Sequence, residues 1–279
     1  MILVVGANGM LGRDLMTLLG SRARGVDIGD IDITDLESTE RVVRAVHPSV
    51  VVNCAAYTDV DGCETNTETA MQVNGEGVGH LAMATRTIGA RLVQISTDYV
   101  FDGAKGSPYL EDDLPCPLNV YGESKLAGEM NAVFNPEHLI VRTQWLYGRH
   151  GKNFVETMLR LAGEKGEVTV VDDQVGSPTW TVDLARAIVA LIERGCTGTY
   201  HAASADFCSW NGFARAIFQE SGMDVPVHGM TTDQLDRPAR RPLYSTLDCA
   251  KLERDTGFRP QSWRDALKAY LELRRQKTT

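Results

Sequence analysis

The sequence predicts an α/β fold, a Rossmann-like doubly wound parallel sheet with a smaller C-terminal substrate-binding lobe. Short β-branched runs alternate with helical patterns through the first two thirds of the 279 residues. Several runs are apolar throughout, which is typical of parallel strands covered by helices on both faces. The first run leads directly into Gly6, Gly9 and Gly12. Alternating strands and helices imply right-handed crossovers and therefore a parallel sheet.

The elements follow from these patterns in chain order. In the first part we predict strands over residues 2–5, 23–27, 50–53, 91–96 and 139–142. The helices between them are predicted over residues 11–19, 36–46, 67–88 and 121–133. After Gly148 the pattern is less regular, with helices predicted over 153–163, 182–193, 210–219 and 263–274 and strands over 168–171 and 199–201.

Two lobes are expected from this order. Residues 1–146, with approximately 179–203, form the predicted dinucleotide-binding Rossmann domain. Approximately 147–178 and 204–279 form the predicted substrate-binding lobe. The cleft between such lobes is the expected active site, because ligand pockets prefer domain boundaries.

Composition excludes several classes of partner. The net charge of −9 argues against nucleic acid and against an anionic membrane as a partner. The N-terminal residues lack the pattern of a signal peptide, and no apolar stretch is long enough to span a bilayer. The six cysteines include no Cys-x-x-Cys, and the histidines form no zinc-like cluster. We therefore expect a cytoplasmic protein with reduced thiols and no metal site.

The glycine turn joins the first strand to the first helix. Glycine lets the backbone turn sharply and approach a pyrophosphate, and the helix N-terminus offers free N–H groups to the phosphates. A plain strand-to-helix turn is the alternative interpretation. If the turn binds a dinucleotide, the contacts come from Gly6, Asn8, Gly9, Met10, Leu11 and Gly12.

The choice between NADH and NADPH stays open. Asp27 ends the second predicted strand, where a carboxylate accepts hydrogen bonds from a ribose and repels a 2′-phosphate. Arg13 lies in the first helical turn, where a guanidinium can pair with a 2′-phosphate. Asp32 and Ile33 are expected at the edge of the adenine, although this polar segment can also cap the next helix.

Thr97, Tyr121 and Lys125 form the predicted catalytic set. Tyr121 and Lys125 are four residues apart and share one helix face. We expect the lysine ammonium to lower the pKa of the phenol, which then donates a proton to a carbonyl oxygen. Thr97 ends a strand at the edge where open α/β sheets bind ligands. A packing tyrosine and a solvated lysine are the alternative.

Small residues follow another strand and leave room for a flat nicotinamide. Ala55 and Ala56 are predicted to line this space, with Tyr57 as its floor. Asn74 lies in a long predicted helix and braces the neighbouring strand, unless it is a surface residue.

Five segments give the sequence a family resemblance. It resembles the extended short-chain dehydrogenase/reductases, and within them the dTDP-4-dehydrorhamnose reductases. The similar segments are Gly6-x-x-Gly9-x-x-Gly12, Ser96-Thr97-Asp98-Tyr99-Val100-Phe101, Tyr121-Gly122-x-Ser124-Lys125-x-Ala127-Gly128-Glu129, Arg142-Thr143-x-Trp145 and Arg241-Pro242-x-x-Ser245. One departure is Gln144, where the family more often has serine.

The resemblance implies a function and a substrate site. It implies reduction of the C4 keto group of dTDP-4-dehydro-L-rhamnose by NADPH or NADH, in the synthesis of cell-surface polysaccharide precursors. The basic cluster Arg237, Arg240 and Arg241 suits a diphosphate, although a solvated loop is the alternative. Substrate-binding residues implied by the family are Thr97, Asp98, Val100, Tyr121, Trp145, Asn153 and Arg241.

Proteins with other functions share this scaffold. An NAD-dependent nucleotide-sugar epimerase shares the tyrosine and lysine, and a regulatory subunit like that of methionine adenosyltransferase keeps much of the fold. A dehydratase is disfavoured because Tyr99, and not a second carboxylate, follows Asp98. The expected assembly is a monomer or a homodimer. Some family members dimerise through magnesium, but Asp14 and Asp183 alone do not extend that site to this chain.

Overall fold

A six-stranded parallel sheet forms the centre of the molecule, as seen in a computed structural model that describes residues 1–276. Its strands are β1 (Ile2–Val5), β2 (Ala23–Val26), β3 (Val50–Asn53), β4 (Arg91–Thr97), β5 (His138–Thr143) and β10 (Gly198–His201). The order across the sheet is β10-β5-β4-β3-β1-β2, and every neighbouring pair is parallel. The predicted fold class is confirmed.

The strand order reverses direction at β1, which has β2 on one side and β3 on the other. Ligands bind outside the carboxyl ends of strands at such a switch point. Gly6, with φ of 76°, ends β1 there, and a Cβ at this position would lie 2.6 Å from the backbone nitrogen of Ala55. Only glycine lets the two strand ends approach so closely.

Helices cover both faces of the sheet. The helices are α1 (Met10–Leu19), α2 (Leu36–Val46), α3 (Val60–Thr65), α4 (Thr67–Met71), α5 (Gly77–Thr87), α6 (Val120–Ala132), α7 (Phe154–Lys165), α8 (Thr181–Glu193), α9 (Trp210–Ser221), α10 (Ala250–Thr256) and α11 (Trp263–Arg275). The apolar runs of the strands explain this arrangement, since successive side chains point to opposite faces. Val4 packs with α1 and α8, whereas Leu3 and Val5 pack with α2 and α5.

A separate apolar core lies among α7, α9 and α11, around Phe213, Trp263 and Tyr270. Three two-stranded sheets accompany it. They pair β6 (Leu146–Tyr147) with β9 (Thr179–Trp180), β7 (Val168–Val171) with β12 (Val227–Met230), and β8 (Val175–Gly176) with β11 (Cys208–Ser209). The division into two lobes at the predicted boundaries stays a prediction.

Some element bounds differ from the prediction. The helix expected over 67–88 is α4 and α5 joined by a π-helical segment, Gln72–Glu76, and π segments occur often at functional sites. The short helices α3 and α10 were not predicted, because a single turn or two carries little periodicity. Within the described residues, no helix has both the length and the apolar character needed to cross a membrane.

Candidate active site

A cavity of about 530 Å³ opens at the carboxyl ends of β1, β3, β4 and β5. It brings together glycine-turn residues, the small residues after β3 and the predicted catalytic set. The predicted site residues that line it are Asn8, Gly9, Met10, Leu11, Ala55, Ala56, Thr97, Asp98, Tyr121, Lys125 and Trp145.

A second cavity of about 600 Å³ continues the first around the glycine turn, since both are lined by Gly9, Ala55 and Ala56. It adds the predicted cofactor contacts Gly6, Asp27, Asp32 and Ile33, whereas Gly12, Tyr57 and Asn74 line neither cavity. Its walls are the ends of β1 and β2 and the segment before α2. The two cavities therefore adjoin at the glycine turn and the residues after β3.

The glycine turn fits a pyrophosphate. The first turn of α1 has no side-chain cap, because its N-cap residue is Gly9, so its N–H groups are open to an anion. A Cβ at Gly12 would collide with the carbonyl oxygen of Gly6. The phosphate cradle therefore depends on glycine at positions 9 and 12.

Asp27 and Arg13 both hold the backbone of Asn8, on either side of its Cα. The Asn8 N–H donates to Asp27 Oδ2 at 2.7 Å, and Arg13 Nε donates to the Asn8 carbonyl at 2.9 Å. The second carboxylate oxygen of Asp27 accepts from the Ile28 N–H at 2.8 Å. From the sequence, Asp27 favoured NADH and Arg13 favoured NADPH. In the structure the two residues are parts of one local arrangement.

Helix α6 positions the predicted catalytic pair, Tyr121 and Lys125. Asn119 caps its first turn by accepting from the Gly122 N–H at 2.8 Å. Glycine at 122 and 128 lets α6 approach closely, since a Cβ there would collide with the carbonyl oxygens of Tyr99 and Asn74. The Lys125 side chain is buried, and its Nζ donates to the Ile95 carbonyl at 2.7 Å.

The electrostatics of the pair differ from our expectation. Burial raises the pKa of Tyr121, and the charge of Asp98 raises it further, while a hydrogen bond from Thr97 opposes them. Burial also lowers the pKa of Lys125 to about 8, against the opposing charge of Glu129. The prediction that Lys125 lowers the pKa of Tyr121 is wrong, because burial dominates. The phenol stays protonated at neutral pH, as a proton donor must.

Asp98 is a buried carboxyl group on the cavity wall, directly after Thr97. It accepts from Ser245 Oγ at 2.5 Å and from Thr97 Oγ1 at 3.1 Å. Burial raises the pKa of Asp98 to about 7, although these hydrogen bonds oppose the shift. Ser245 is part of the Arg-Pro-x-x-Ser motif, whose role the sequence alone did not reveal.

A buried ion pair, which the sequence analysis did not predict, lies next to the predicted catalytic set. The carboxylate of Glu129, one turn after Lys125, pairs with Arg142 through two hydrogen bonds of 2.8 and 2.7 Å. Ser96 Oγ donates to the same carboxylate at 2.6 Å. All three side chains are buried. Arg142 could have indicated this pair, because a charged residue inside the apolar strand β5 needs a buried partner.

Trp145 lies on the cavity wall and stacks on Trp210, with ring centroids 3.6 Å apart. Its backbone φ is 48°, uncommon for a bulky residue. A Cβ at Gly176 would lie 2.5 Å from the indole ring, so glycine there makes room for it. Gln144 accepts from the Ser177 N–H at 3.0 Å, which ties the segment after β8 to the cavity.

Two of the three arginines predicted to bind a diphosphate, Arg237 and Arg241, pair with Asp61. Asp61 belongs to α3 and was not among the predicted site residues. Arg237 Nη1 and Arg241 Nη2 donate to Asp61 Oδ2 at 2.8 and 2.9 Å. The carbonyl of Arg240 accepts from Asn119 Nδ2 at 2.6 Å. This basic loop is therefore attached to both α3 and the start of α6.

Other predicted residues lie around the cavity, outside its lining. Asn74 is buried and bonds the backbone of Tyr57 through both its oxygen and its nitrogen, at 2.8 and 2.9 Å. Val100 is fully buried with Phe101 in a small apolar cluster. Asn153 caps α7 and donates to the Gly148 carbonyl at 2.8 Å. Asn74 thus braces the segment after β3. The site roles of Tyr57, Asn74, Val100 and Asn153 stay predictions.

Residues 1–276 contain no cluster of three or more histidine, cysteine, aspartate or glutamate side chains that could hold a metal ion. Asp14 accepts from Thr181 Oγ1 at 2.5 Å, and Asp183 is bonded to Gln261 and Arg186. The two acidic residues considered for magnesium therefore have separate partners.

Comparison with known proteins identifies the family. The family model described as RmlD substrate binding domain matches residues 1–275. A dTDP-4-dehydrorhamnose reductase of Streptomyces griseus is 47% identical over 277 aligned residues, covering 95% of this chain and 91% of the relative. The chain belongs to the dTDP-4-dehydrorhamnose reductase family. Its membership confirms the resemblance seen in the motifs.

Two solved structures are similar over nearly the whole chain. A dTDP-4-dehydrorhamnose reductase of Clostridium acetobutylicum has a TM-score of 0.96 and 44% identity, covering 98% of this chain and 99% of that one. A second from Bacillus anthracis, in complex with NADP, has a TM-score of 0.95 and 39% identity, covering 97% and 98%. The predicted oxidoreductase class is confirmed, and the epimerase and the regulatory subunit are not favoured. The assembly and the cytoplasmic location stay predictions.

Proposed function

We propose that the chain reduces the C4 keto group of dTDP-4-dehydro-L-rhamnose with NADPH or NADH and forms dTDP-L-rhamnose, a precursor of cell-surface polysaccharide. One observation carries the proposal. The uncapped glycine turn, Thr97, Tyr121 and Lys125 converge on a single cavity. A cavity with a dinucleotide cradle at one end and a protonated phenol beside it suits carbonyl reduction.

Each residue of the set has a separate task. A bound nicotinamide dinucleotide supplies the hydride that arrives at C4. Tyr121 donates its proton to the carbonyl oxygen, and its raised pKa keeps that proton available at neutral pH. Thr97 donates a hydrogen bond to the same oxygen, where negative charge develops. Lys125, charged below a pH of about 8, supplies a buried positive charge on the same helix face.

The substrate lies on the side of Asp98, Trp145 and the basic loop. Trp145 offers an apolar ring face, already backed by Trp210. Arg237 and Arg241 offer guanidinium forks of the kind that bind a diphosphate. A local basic cluster is needed for this, because the chain as a whole has a net charge of −9.

The test is to generate the 4-keto sugar nucleotide enzymatically and to follow the loss of NADPH and NADH absorbance separately. We expect oxidation that depends on the sugar. Tyr121→Phe should lower kcat by about 100-fold or more, because general acid catalysis contributes roughly 10²–10⁴-fold. Cofactor binding, measured by fluorescence titration, should change little.

Ser204→Ala serves as the control variant, since Ser204 is buried elsewhere and donates only to the Pro178 carbonyl. Near-normal turnover by Tyr121→Phe contradicts the assigned catalytic role. Absence of oxidation by the wild-type protein with either cofactor contradicts the proposed substrate.

A further inference from the structure

Asp98 is hydrogen-bonded to two hydroxyl groups, those of Thr97 and Ser245, and the reaction above assigns the carboxyl group no role. The carboxyl group is 1% exposed and lies between Thr97 Oγ1 and Ser245 Oγ. Ser245 comes from the segment that follows the basic loop, 147 residues further along the chain. The carboxyl group of Asp98 therefore connects the segment after the basic loop to the hydroxyl of Thr97.

The hydroxyl of Thr97 has one hydrogen and two lone pairs to distribute. It already accepts from the Tyr99 N–H at 3.2 Å. If Asp98 is ionised, its oxygens only accept, so the Thr97 hydrogen points to Asp98. The remaining lone pair of Thr97 is then available to the phenol of Tyr121, which lies close enough for this hydroxyl to affect its pKa. In this state neither hydroxyl offers its hydrogen to a substrate carbonyl.

A protonated Asp98 reverses this arrangement. Its own O–H can donate to Thr97 Oγ1, while its other oxygen still accepts from Ser245. The Thr97 hydrogen is then free to turn to the substrate carbonyl, and Tyr121 no longer finds an acceptor on Thr97. No bond other than hydrogen bonds changes, and one proton is taken up from solvent.

We propose that the protonation state of Asp98 decides whether the Thr97 hydroxyl donates to Asp98 or to the carbonyl oxygen of the substrate. The inference rests on the proposed reductase function. Asp98 acts through Thr97 and is therefore a positioning residue. Ser245 sets the balance, since its hydrogen bond stabilises the ionised carboxylate.

The neighbouring titratable groups have to be considered with Asp98. The phenols of Tyr99 and Tyr121 are sensitive to its charge. Arg241 and Asp61 lie beyond Tyr99, and Cys63 of α3 lies near Tyr121. On α6, Lys125 lines the same cavity, with its pKa lowered to about 8. An effect of Asp98 must therefore be separated from one of Lys125, which titrates at higher pH.

The pH profile of kcat/KM for the keto sugar gives that separation. Because the protonated form is the active one, we expect the wild-type rate constant to fall above a pH of about 7. Asp98→Asn should lose this decline, since the amide can donate to Thr97 and accept from Ser245 at every pH. Ser245→Ala should move the decline to higher pH, because it removes a hydrogen bond that favours the carboxylate. Ser204→Ala, the matched control, should leave the decline in place.

A second measurement does not depend on turnover. The infrared band of a protonated carboxyl group, recorded from pH 5 to 9 as a difference between wild type and Asp98→Asn, reports the titration of Asp98 directly. Titration near pH 7 and its upward shift in Ser245→Ala support the inference even if another keto sugar is the substrate. A decline that persists in Asp98→Asn, or that Ser245→Ala leaves unmoved, overturns it while the proposed function stands.

Discussion

At the proposed catalytic edge Thr97 and Lys125 are held by the backbone, whereas on the proposed substrate side the charged groups are held by one another. Thr97 ends a central strand, and Lys125 donates to the carbonyl of Ile95 in the same strand. Arg237 and Arg241 instead extend from a loop and share the carboxylate of Asp61. The first region is positioned before any ligand arrives, which is what catalysis by oriented donors needs.

The second region has a different property. If Arg237 and Arg241 bind the substrate diphosphate as proposed, the diphosphate competes with Asp61 for the same guanidinium groups, and binding exchanges one ionic partner for another. Asp61 is only partly buried, with 20% of its side chain exposed. The side chains proposed to react are thus held rigidly, while the contact proposed to recognise the nucleotide is one that can be replaced.

The largest expected effect tests the rigid region. Arg142→Met leaves the buried Glu129 carboxylate without its ion-pair partner. We expect the free energy of unfolding to fall by about 3–5 kcal/mol, because a buried charge is left uncompensated. Urea denaturation measures this loss. Arg160→Ala is the control, since the Arg160–Glu164 pair is exposed and worth about 0–1 kcal/mol.

The double variant Glu129→Leu/Arg142→Met keeps the test informative if the single variant does not fold. Replacement of both partners by apolar residues removes the uncompensated charge, so much of the stability should return. Equal and small losses for Arg142→Met and Arg160→Ala would contradict the idea that the catalytic edge stands on this buried pair.

The next effect tests the exchangeable region. Arg241→Gln should raise KM for the nucleotide-sugar about 10- to 100-fold with little change in kcat, because a hydrogen bond to a charged group contributes roughly 1.5–3 kcal/mol. Arg237, with a more exposed side chain, should have a smaller effect. Steady-state kinetics at saturating cofactor measure both.

Asp61→Asn separates two interpretations of the same contact. If Asp61 competes with the diphosphate, its neutralisation should lower KM several-fold. A rise in KM would mean that the carboxylate orients the arginines for the substrate and does not compete with it. In that case the two regions of the cleft would both be preorganised.

The sequence predicted the rigid region well for a physical reason. Glycine turns, strand ends and residues one helical turn apart are local patterns, and Gly6, Thr97 and Lys125 are each part of one. The partners that support them are not local. Glu129 and Arg142 lie on a helix and a strand, and their contact depends on how α6 crosses β4 and β5.

The exchangeable region was harder to predict for the same reason. Asp61 and Arg241 are 180 residues apart, and no spacing rule connects them. The three arginines were visible as a cluster, but their acidic partner was one of 37 acidic residues. The pKa of Tyr121 was predicted in the wrong direction because burial, which a sequence does not show, outweighs the nearby ammonium.

The smallest effect concerns the cofactor end of the cleft, where Asp27 and Arg13 both hold the backbone of Asn8. Asp27→Asn removes a negative charge beside the expected ribose and keeps an oxygen that can accept from the Asn8 N–H. We expect the preference for NADPH over NADH, measured as a ratio of kcat/KM values, to rise roughly five-fold. This corresponds to about 1 kcal/mol, the interaction of two charges about 4 Å apart in water.

Arg13→Gln is the matched variant and should lower the same ratio, because it removes the positive charge available to a 2′-phosphate. Both substitutions also weaken the hold on the Asn8 backbone. That structural effect acts on NADPH and NADH alike, so it cancels in the ratio and appears only in the separate kcat/KM values. Equal losses for both cofactors in both variants would mean that Asp27 and Arg13 shape the turn and select neither cofactor. The cofactor end would then belong entirely to the rigid region of the cleft.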